Sequence, residues 1–318
     1  MKPLVIVVGS FVQDLVFASN RFPSPGETTL GTFSFGPGGK GSNQAVASAR
    51  AGVATRFIGA VGNDTFGAGA RAFHRSEGID SRLIIKERHA TGTAAIMDDR
   101  EGRNQIVVAI GASAQITPRD VPASWLRGAR VVIAQHEASL SINAHVFRAA
   151  RRLGATTILN PAPMRADFDP AVLRHVDVLV PNETEFVALA RLAGKNIDES
   201  TLAHLDDAAL QQLCRHLGVP VVIATLGARG CFVSLADRFA RITRHRVKVV
   251  DSTGAGDAFV GNLAAGLVKF QNDILRAAHF ANAAAALSVT KPGTSRSMPT
   301  FRESLKLASA KTVLFTGR

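Results

Sequence analysis

The sequence has no tyrosine, a single tryptophan and only two cysteines among its 318 residues. Cys214 and Cys231 lack the spacing of a metal site, and we interpret both as buried thiols in a reducing compartment, with a disulfide between them as the alternative. No run approaches the roughly 20 apolar residues of a membrane-spanning helix, and the apolar run after Met1–Pro3 is too short for a signal peptide. We therefore expect a cytoplasmic protein.

Acidic residues are scarce: 25 Asp and Glu stand against 37 Lys and Arg, a formal net charge of +12. A nucleic-acid surface combines clustered basic residues with aromatic ones. Here the arginines are scattered, and the densest run, Arg241–Lys248, alternates with apolar residues like a strand with one solvated face. We expect neither nucleic acid nor a membrane as a partner. Attraction of an anionic substrate, such as a nucleoside triphosphate, is the milder consequence of this charge.

Short apolar runs alternate with helical segments along the chain, and hydrophobic residues make up 46% of it. This pattern indicates an α/β fold with a central, mostly parallel sheet flanked by helices. Two segments, at about 11–36 and 91–111, are instead typical of strand pairs joined by polar turns. We expect them to form a small β-sheet inserted into a single α/β domain of residues 1–318. Such a sheet could act as a lid over the carboxyl ends of the parallel strands.

The most informative segment is Asp251–Asp257, with the sequence Asp-Ser-Thr-Gly-Ala-Gly-Asp. It lies between Val247–Val250, predicted as a strand, and a run of small residues predicted as a helix. The backbone amides of residues 254–256 can face an anion at the start of that helix. Asp257 would lie beside the anion and could accept a proton from a hydroxyl, as phosphoryl transfer requires. The alternative is an ordinary tight turn in which Asp257 only caps the helix.

A second glycine-rich segment, Gly36–Ala45, precedes another predicted helix and carries Lys40 and Asn43, which can bind hydroxyls. Such loops are common, so alone this one indicates little. Together with Asp251–Asp257, and with blocks such as Thr225–Gly230 in the same order and at the same spacing, it resembles the ribokinase-like (PfkB) family of sugar kinases. The resemblance runs through nearly the whole chain and implies the ribokinase-like fold.

The resemblance implies an ATP-dependent kinase that phosphorylates a hydroxyl, expected to be a primary one, of a small sugar such as ribose or a close relative. Another sugar, for example fructose or ketodeoxygluconate, is an alternative substrate. A non-catalytic sugar-binding protein on the same fold is a further alternative. The resemblance also implies ATP as co-substrate, with Mg²⁺ and K⁺. Because exposed sheet edges invite pairing, a homodimer through the lid is an additional expectation.

The family's site residues carry over to matching positions of this chain. Asp257 would be the general base, with anion-hole amides from Gly254, Ala255 and Gly256. Sugar hydroxyls would be held by Asp14, Gly39, Lys40, Gly41, Asn43 and Glu137. The nucleotide would be bordered by Asn182, Thr225, Gly227, Gly230 and Asn282. Glu185 would position Mg²⁺ through water. The oxygens around K⁺ would come from Asp251, Thr253, Ser288, Lys291, Gly293 and Ser297.

Some of these assignments have a structural alternative. Asn182 and Glu185 are also a good helix-capping pair, at the N-cap and N3 positions. Glu137 could be a solvated loop acid, and we expect an ordinary surface role for His136 beside it. One position departs from the family pattern: its ribose-specific members usually have Asn where this chain has Val12. Valine offers a sugar hydroxyl no hydrogen bond, which favours a sugar lacking a hydroxyl there or bound in another pose.

Overall fold

The computed structural model describes residues 4–310 and 314–315, so Met1–Pro3 lie outside it. Its strands, in chain order, are β1 (Leu4–Val8), β2 (Val12–Ser19), β3 (Thr32–Gly38), β4 (Ala54–Val61), β5 (Asp80–Ile85), β6 (Gly92–Asp99), β7 (Asn104–Ala109), β8 (Ala129–Ala134), β9 (Thr156–Leu159), β10 (Val178–Leu179), β11 (Val221–Thr225), β12 (Cys231–Ser234), β13 (Phe239–Ile242) and β14 (Leu314–Phe315).

The α-helices of the described residues are α1 (Lys40–Arg50), α2 (Thr65–Ser76), α3 (Ser141–Arg152), α4 (Glu183–Leu192), α5 (Glu199–His204), α6 (Asp207–His216), α7 (Ala255–Lys269), α8 (Ile274–Ser288) and α9 (Phe301–Ser309). Across this part of the chain, none of the helices combines the length and the apolar character that a bilayer crossing needs.

The large sheet contains ten strands in the order β14-β13-β12-β11-β10-β9-β8-β1-β4-β5. The seven strands from β11 to β5 pair in parallel, and β12, β13 and β14 are added antiparallel at one edge. Residues Val5–Val8 of β1 are buried on both faces, as expected when helices cover a parallel sheet on both sides. The predicted fold class is confirmed.

Successive side chains of β1 point to opposite faces of the sheet and enter different apolar clusters. On one face, small residues let α1 and α7 approach closely: a Cβ at Gly261 would lie 2.5 Å from the Cβ of Ala47. This contact brings the first turn of α7 against α1.

The two cysteines are free, and each is buried in an apolar cluster. Cys231 lies in the cluster on one face of the large sheet, and Cys214 lies in the cluster on the opposite face. The prediction that both are core thiols is confirmed.

The small sheet has the strand order β3-β2-β6-β7. Its two antiparallel pairs, β2–β3 and β6–β7, join through a parallel pairing of β2 with β6. Because side chains alternate along a strand, Val12, Asp14 and Val16 share one face, which we call the inner face. The outer face is apolar and exposed; it carries Phe17, Phe33, Phe35 and Val107.

The predicted strand at Val247–Val250 is wrong, as is the extension of a strand over Arg241–Lys248. The strand there, β13, ends at Ile242. The chain then leaves the sheet, and the amides of Val250 and Asp251 donate to the Val289 carbonyl at the end of α8. The alternating apolar residues that suggested a strand are instead partly exposed, because tertiary contacts override β-propensity.

Candidate active site

The candidate site lies where neighbouring parallel strands end, the usual ligand position in open α/β sheets. Ser10 follows β1, Gln135 and Glu137 follow β8, and Asn160 follows β9. Because β9, β8 and β1 are adjacent in the sheet, these polar side chains converge. The helix α1 begins at Lys40 above the same strand ends, and its amino end is bound to the Ser10 carbonyl by the Ser42 amide.

Asp257 lies in the first turn of α7 and is buried. Its Oδ2 accepts a hydrogen bond from Asn43 Nδ2 at 3.0 Å, and its Oδ1 accepts one from Gln44 Nε2 at 2.9 Å. Burial raises the pKa of Asp257, while the charge of Lys40 and the two amide donors act in the opposite direction. The carboxylate therefore bonds to α1, and no side chain of the described residues caps the amino end of α7.

The turn before α7 has the backbone that the glycine motif requires. Gly254 is the N-cap residue and lies in the left-handed region, with φ 77°. Beyond it, a Cβ at Gly256 would meet no atom of the described residues within 4 Å. The amides of residues 254–256 thus lie at the positive end of the α7 dipole, an arrangement suited to an anion.

Glu137 is buried and is not a solvated loop acid. Its Oε2 accepts hydrogen bonds from Ser10 Oγ at 2.5 Å and from the Lys40 backbone amide at 2.7 Å. Burial opposes the charge of the Lys40 side chain, but three nearby carboxylates outweigh it and raise the pKa of the ammonium group. Those carboxylates belong to Asp257, Glu137 and Glu185. The partly buried ammonium group of Lys40 therefore lies among three carboxylates.

Asp14 projects from the inner face of the small sheet toward the same cluster. Burial and, after it, the charges of Glu137 and Asp257 raise the pKa of Asp14 to about 7. It lines a cavity of about 360 Å³ between the small sheet and the loops that hold Asp251 and Thr294. The carboxylates that line this cavity, those of Asp14, Asp98 and Asp251, are acceptors for hydroxyl donors, so a polyhydroxylated ligand suits it.

The glycines predicted to contact the sugar lie at the start of α1. Gly39 is the N-cap residue with φ 89°, and a Cβ there would lie 2.7 Å from the Val12 amide nitrogen. At Gly41 a Cβ would lie 2.7 Å from the Ser10 amide nitrogen. The start of α1 is thus pressed against the chain that leaves β1, which leaves no room for larger residues.

The candidate nucleotide residues follow the next two parallel strands. Asn182 lies after β10, and Thr225 ends β11, with its amide and hydroxyl both donating to the Pro181 carbonyl at 2.9 and 3.3 Å. Gly227 and Gly230 bound the short turn after β11. Farther off, Asn282 of α8 donates Nδ2 to the Thr243 carbonyl at 2.9 Å. The first four residues share one sheet edge, whereas Asn282 is tied to the segment after β13.

Asn182 and Glu185 form a capping box at the start of α4, so the structural alternative is confirmed. The Glu185 amide donates to Asn182 Oδ1 at 2.8 Å, and the Asn182 amide donates to Glu185 Oε2 at 2.9 Å. Burial raises the pKa of Glu185, while the Asn182 amide and Lys40 act against that rise. Glu185 is therefore both a cap and a charged neighbour of the Lys40 side chain.

The candidate K⁺ residues lie on two loops that Asp251 joins. Its Oδ1 accepts the Thr253 amide and its Oδ2 accepts the Gly293 amide, each at 2.9 Å. These bonds outweigh burial and lower the pKa of Asp251. Ser288 and Ser297 are buried, and their hydroxyls donate to the carbonyls of Ala285 and Thr294.

The donors of these loops, a carboxylate with carbonyl and hydroxyl oxygens, fit a hard cation. Lys291 belongs to the same turn, where its amide faces the Ser288 carbonyl at 3.4 Å. Among residues 4–310 no cluster of three acidic, histidine or cysteine side chains is arranged to hold a metal ion.

Several polar residues of the site escaped prediction. Ser10, Gln44, Gln135 and Asn160 all contact a predicted residue or one another. Gln44 lies inside the second motif, but its contact with Asp257 depends on helix packing rather than on sequence spacing. The surface role expected for His136 is wrong: its ring is buried 4.7 Å from that of Phe168, and burial lowers its pKa to about 4.

Comparison with known proteins agrees with this geometry. The profile of the pfkB family of carbohydrate kinases matches residues 2–301. Ribokinase of Mus musculus is 38% identical over 314 residues, which span 96% of this chain and 94% of that protein. Deoxyribokinase of Salmonella typhi is 33% identical over 303 residues, 94% and 96% of the two chains. The structure of Arabidopsis thaliana ribokinase complexed with ribose and ATP superposes with a TM-score of 0.84 at 32% identity, covering 96% and 98%.

The fold, the buried carboxylate at a helix amino end and these likenesses define an ATP-dependent sugar kinase. The chain belongs to the pfkB family of carbohydrate kinases. The family resemblance, the kinase class and the use of ATP predicted from the motifs are confirmed.

Proposed function

We propose that the protein transfers the γ-phosphoryl group of ATP to a hydroxyl, expected to be a primary one, of ribose or a close relative. The observation that carries the proposal is the position of Asp257, buried at the amino end of α7 and held by amides of α1. The similarity to ribokinases of several organisms supports ribose as the sugar.

In this proposal the sugar lies in the cavity lined by Asp14, with hydroxyls donating to Asp14 and Glu137. Asp257 accepts the proton of the attacking hydroxyl as its oxygen reaches the γ-phosphorus. The amides of residues 254–256 stabilise the negative charge that spreads over the transferred group. Closure of the small sheet as a lid excludes water and limits ATP hydrolysis.

Two metal ions belong to the proposal. Glu185 would act through water on a Mg²⁺ that, when bound, neutralises phosphate charge. The two loops joined by Asp251 would hold K⁺ through carbonyl oxygens, beside the amides of the anion hole. The oxygen ligands of these loops support a hard cation, and the hydrogen bonds that Asp251 accepts from the Thr253 and Gly293 amides already fix the loop positions.

A deoxy sugar is the second candidate substrate, and Val12 is the observation that favours it. Val12 is buried and shares the inner face of β2 with Asp14. A sugar hydroxyl that met this side chain would lose a hydrogen-bonding partner, at a cost of roughly 1–3 kcal/mol. A deoxy sugar with no hydroxyl facing Val12 would avoid this loss of binding free energy. The similarity to a deoxyribokinase agrees with this reading.

The proposal is tested by ATP turnover in a coupled ADP assay with K⁺ and Mg²⁺ present. The panel contains ribose, deoxyribose, fructose, tagatose, ketodeoxygluconate and adenosine. Selective turnover of ribose or deoxyribose is expected, and selective turnover of another member would correct the substrate. ATP binding without turnover of any member would favour the non-catalytic sugar-binding alternative.

We further propose that residues 1–318 form one domain, that the small sheet is its lid, and that two copies pair through the outer face of that sheet. The exposed aromatic side chains there support pairing, because they form a contiguous apolar patch.

We also propose a cytoplasmic location, which the two buried free thiols support. In this proposal the net charge of +12 attracts anionic ATP, and nucleic acid is not a partner.

A further inference from the structure

A chain of buried amide side chains lies behind Asp257 and connects it to the sheet. Gln135 Nε2 donates to Gln44 Oε1 at 2.6 Å. Gln44 Nε2 donates both to Asn160 Oδ1 at 3.1 Å and to Asp257 Oδ1 at 2.9 Å. Asn160 Nδ2 in turn donates to the Val180 carbonyl at 3.0 Å. Gln44 is fully buried, so it has no water to replace these partners.

The direction of every hydrogen bond in this network of amide side chains follows from the Val180 carbonyl at one end of it. The Val180 carbonyl can only accept, so Asn160 must turn its NH₂ group toward it. The oxygen of Asn160 then faces Gln44, which must donate. Gln44 Oε1 is thereby turned toward Gln135, which donates in turn. Rotating the amide of Asn160 or Gln44 would set acceptor against acceptor, so the network itself assigns the amide orientations.

The consequence for Asp257 is that one of its oxygens always faces an N–H group. Gln44 supplies that group to Oδ1, and Asn43 supplies a second one to Oδ2, with Asn43 Oδ1 accepting from Ser295 Oγ at 2.6 Å. Two consecutive residues of α1 therefore donate hydrogen bonds to the two oxygens of the Asp257 carboxylate. Asn43 belongs to the proposed sugar site, but Gln44 has no role in it.

We propose that Gln44, oriented by Gln135 and Asn160, is a positioning residue that holds the Asp257 carboxylate ionised and aimed at the attacking hydroxyl. The inference rests on the proposed role of Asp257 as the base. An N–H donor stabilises the charged carboxylate and offers nothing comparable to its protonated form. Without that donor the base would take up a proton at higher pH.

The other charges around Asp257 remain the same when Gln44 changes. Lys40 favours its ionised form, and Glu137 disfavours it. The charges of Asp14 and Glu185 also act on it. None of these four side chains hydrogen-bonds to Gln44 in the described structure, so a substitution at Gln44 tests the amide donor rather than the charge cluster.

The test is the pH dependence of sugar kcat/KM for the full-length Gln44→Met variant, which keeps side-chain length and loses the donor. Its acid limb is expected to move upward by about one pH unit, the size of one hydrogen bond to a charged group. At pH 7 kcat falls, and KM for the sugar stays near that of the wild type. Gln44→Glu, which sets an acceptor against Asp257, is expected to be worse than Gln44→Met.

Ser48→Ala is the matched control. Ser48 lies one turn further along α1, is buried, and donates Oγ to the Gly261 carbonyl at 2.7 Å without touching Asp257. Its loss is expected to lower Tm and leave the acid limb in place. An acid limb that stays at the wild-type pH in Gln44→Met would overturn the inference. If that variant does not fold, Gln135→Met, which leaves Gln44 Oε1 without its donor and so weakens the hold on the amide that faces Asp257, must shift the limb in the same direction or the inference fails.

Asp257→Asn, measured in the same assay, distinguishes a failure of the positioning role of Gln44 from a failure of the proposed kinase function. Loss of turnover there with an unmoved limb in Gln44→Met would reject only the positioning role. Near-normal turnover of Asp257→Asn would reject the proposed function from which the inference starts.

Discussion

At the scale of single residues, the carboxylate of Asp14 lowers the stability of the folded protein when it is ionised, and in the same state it can bind a sugar. Its pKa of about 7 in the folded protein exceeds the ordinary 3.8, so the folded state holds the proton more tightly than the unfolded state. Stability contributed by this group is therefore present below about pH 4 and is lost as the pH rises toward 7. An ionised Asp14 is costly to the fold and useful to a sugar that donates hydroxyl hydrogens.

Asp14→Asn is expected to raise Tm, and to raise it more at pH 8 than at pH 5, because only at the higher pH is the wild-type carboxylate fully ionised. The same variant should raise KM for the sugar about tenfold or more, the cost of a lost charged acceptor. Thermal melts at both pH values and steady-state kinetics measure the two effects. An equal change in Tm at pH 5 and pH 8 would contradict the assigned cause.

Val12→Asn is expected to increase kcat/KM for ribose about tenfold, because an amide can meet a hydroxyl that valine leaves unpaired. Deoxyribose is the control substrate and should gain nothing. Kinetics with both sugars measure the difference. Unchanged kcat/KM for ribose would mean that position 12 does not face the sugar.

Motifs and the family resemblance were enough to nominate most of the residues that meet at the site, including Lys40, Asn43 and Asp257. They could not show that Gln44 bonds to Asp257, because that contact depends on the close packing of α1 on α7. Nor could they show the high pKa of Asp14, which depends first on its burial in the fold and then on its distance from other carboxylates. Spacing along the chain does not contain these distances.

At the scale of elements, the start of α7 determines where the anion-hole amides point. Gly254→Ala is expected to cost about 1–2 kcal/mol, because an L side chain disfavours the left-handed backbone that this N-cap residue adopts. Tm should fall by a few degrees and kcat by about 10²-fold as the amides shift. Differential scanning calorimetry and the ADP assay measure both.

Gly256→Ala is the comparison for that variant, because residue 256 is helical and a Cβ there meets open space. Its Tm should stay the same or rise, since alanine favours a helix over glycine by about 1 kcal/mol. Equal losses of Tm at positions 254 and 256 would show that the backbone conformation of Gly254 is not the cause.

Strands and helices were predicted correctly where apolar periodicity and local turns define them. The predictions were wrong where the structure of a segment depends on contacts with residues distant in the sequence. The parallel strands and the strand pairs of the small sheet follow from apolar runs and polar turns. The joining of the two strand pairs does not, because β2 and β6 pair over a long sequence separation. Val247–Val250 looked like a strand but bonds instead to the end of α8.

At the scale of the whole molecule, the outer face of the small sheet predicts association. Phe33→Lys is expected to weaken pairing about 30-fold or more, as for an aromatic hot spot. Light scattering should find the wild type at twice 33.5 kDa and the variant near 33.5 kDa at low concentration. Leu192→Lys, an exposed position on α4, is the control. A monomeric wild type, or an unaffected variant, would contradict this assembly.

The central claim is that Asp257 takes the proton of a sugar hydroxyl during phosphoryl transfer from ATP. The most direct measurement is kcat of Asp257→Asn with the best sugar of the panel, alongside the affinity of the variant for ATP. Loss of about 10²–10⁴ in kcat with unchanged ATP binding is the predicted result, because a neutral amide cannot act as the base. Near-normal kcat in a correctly folded variant would contradict the claim.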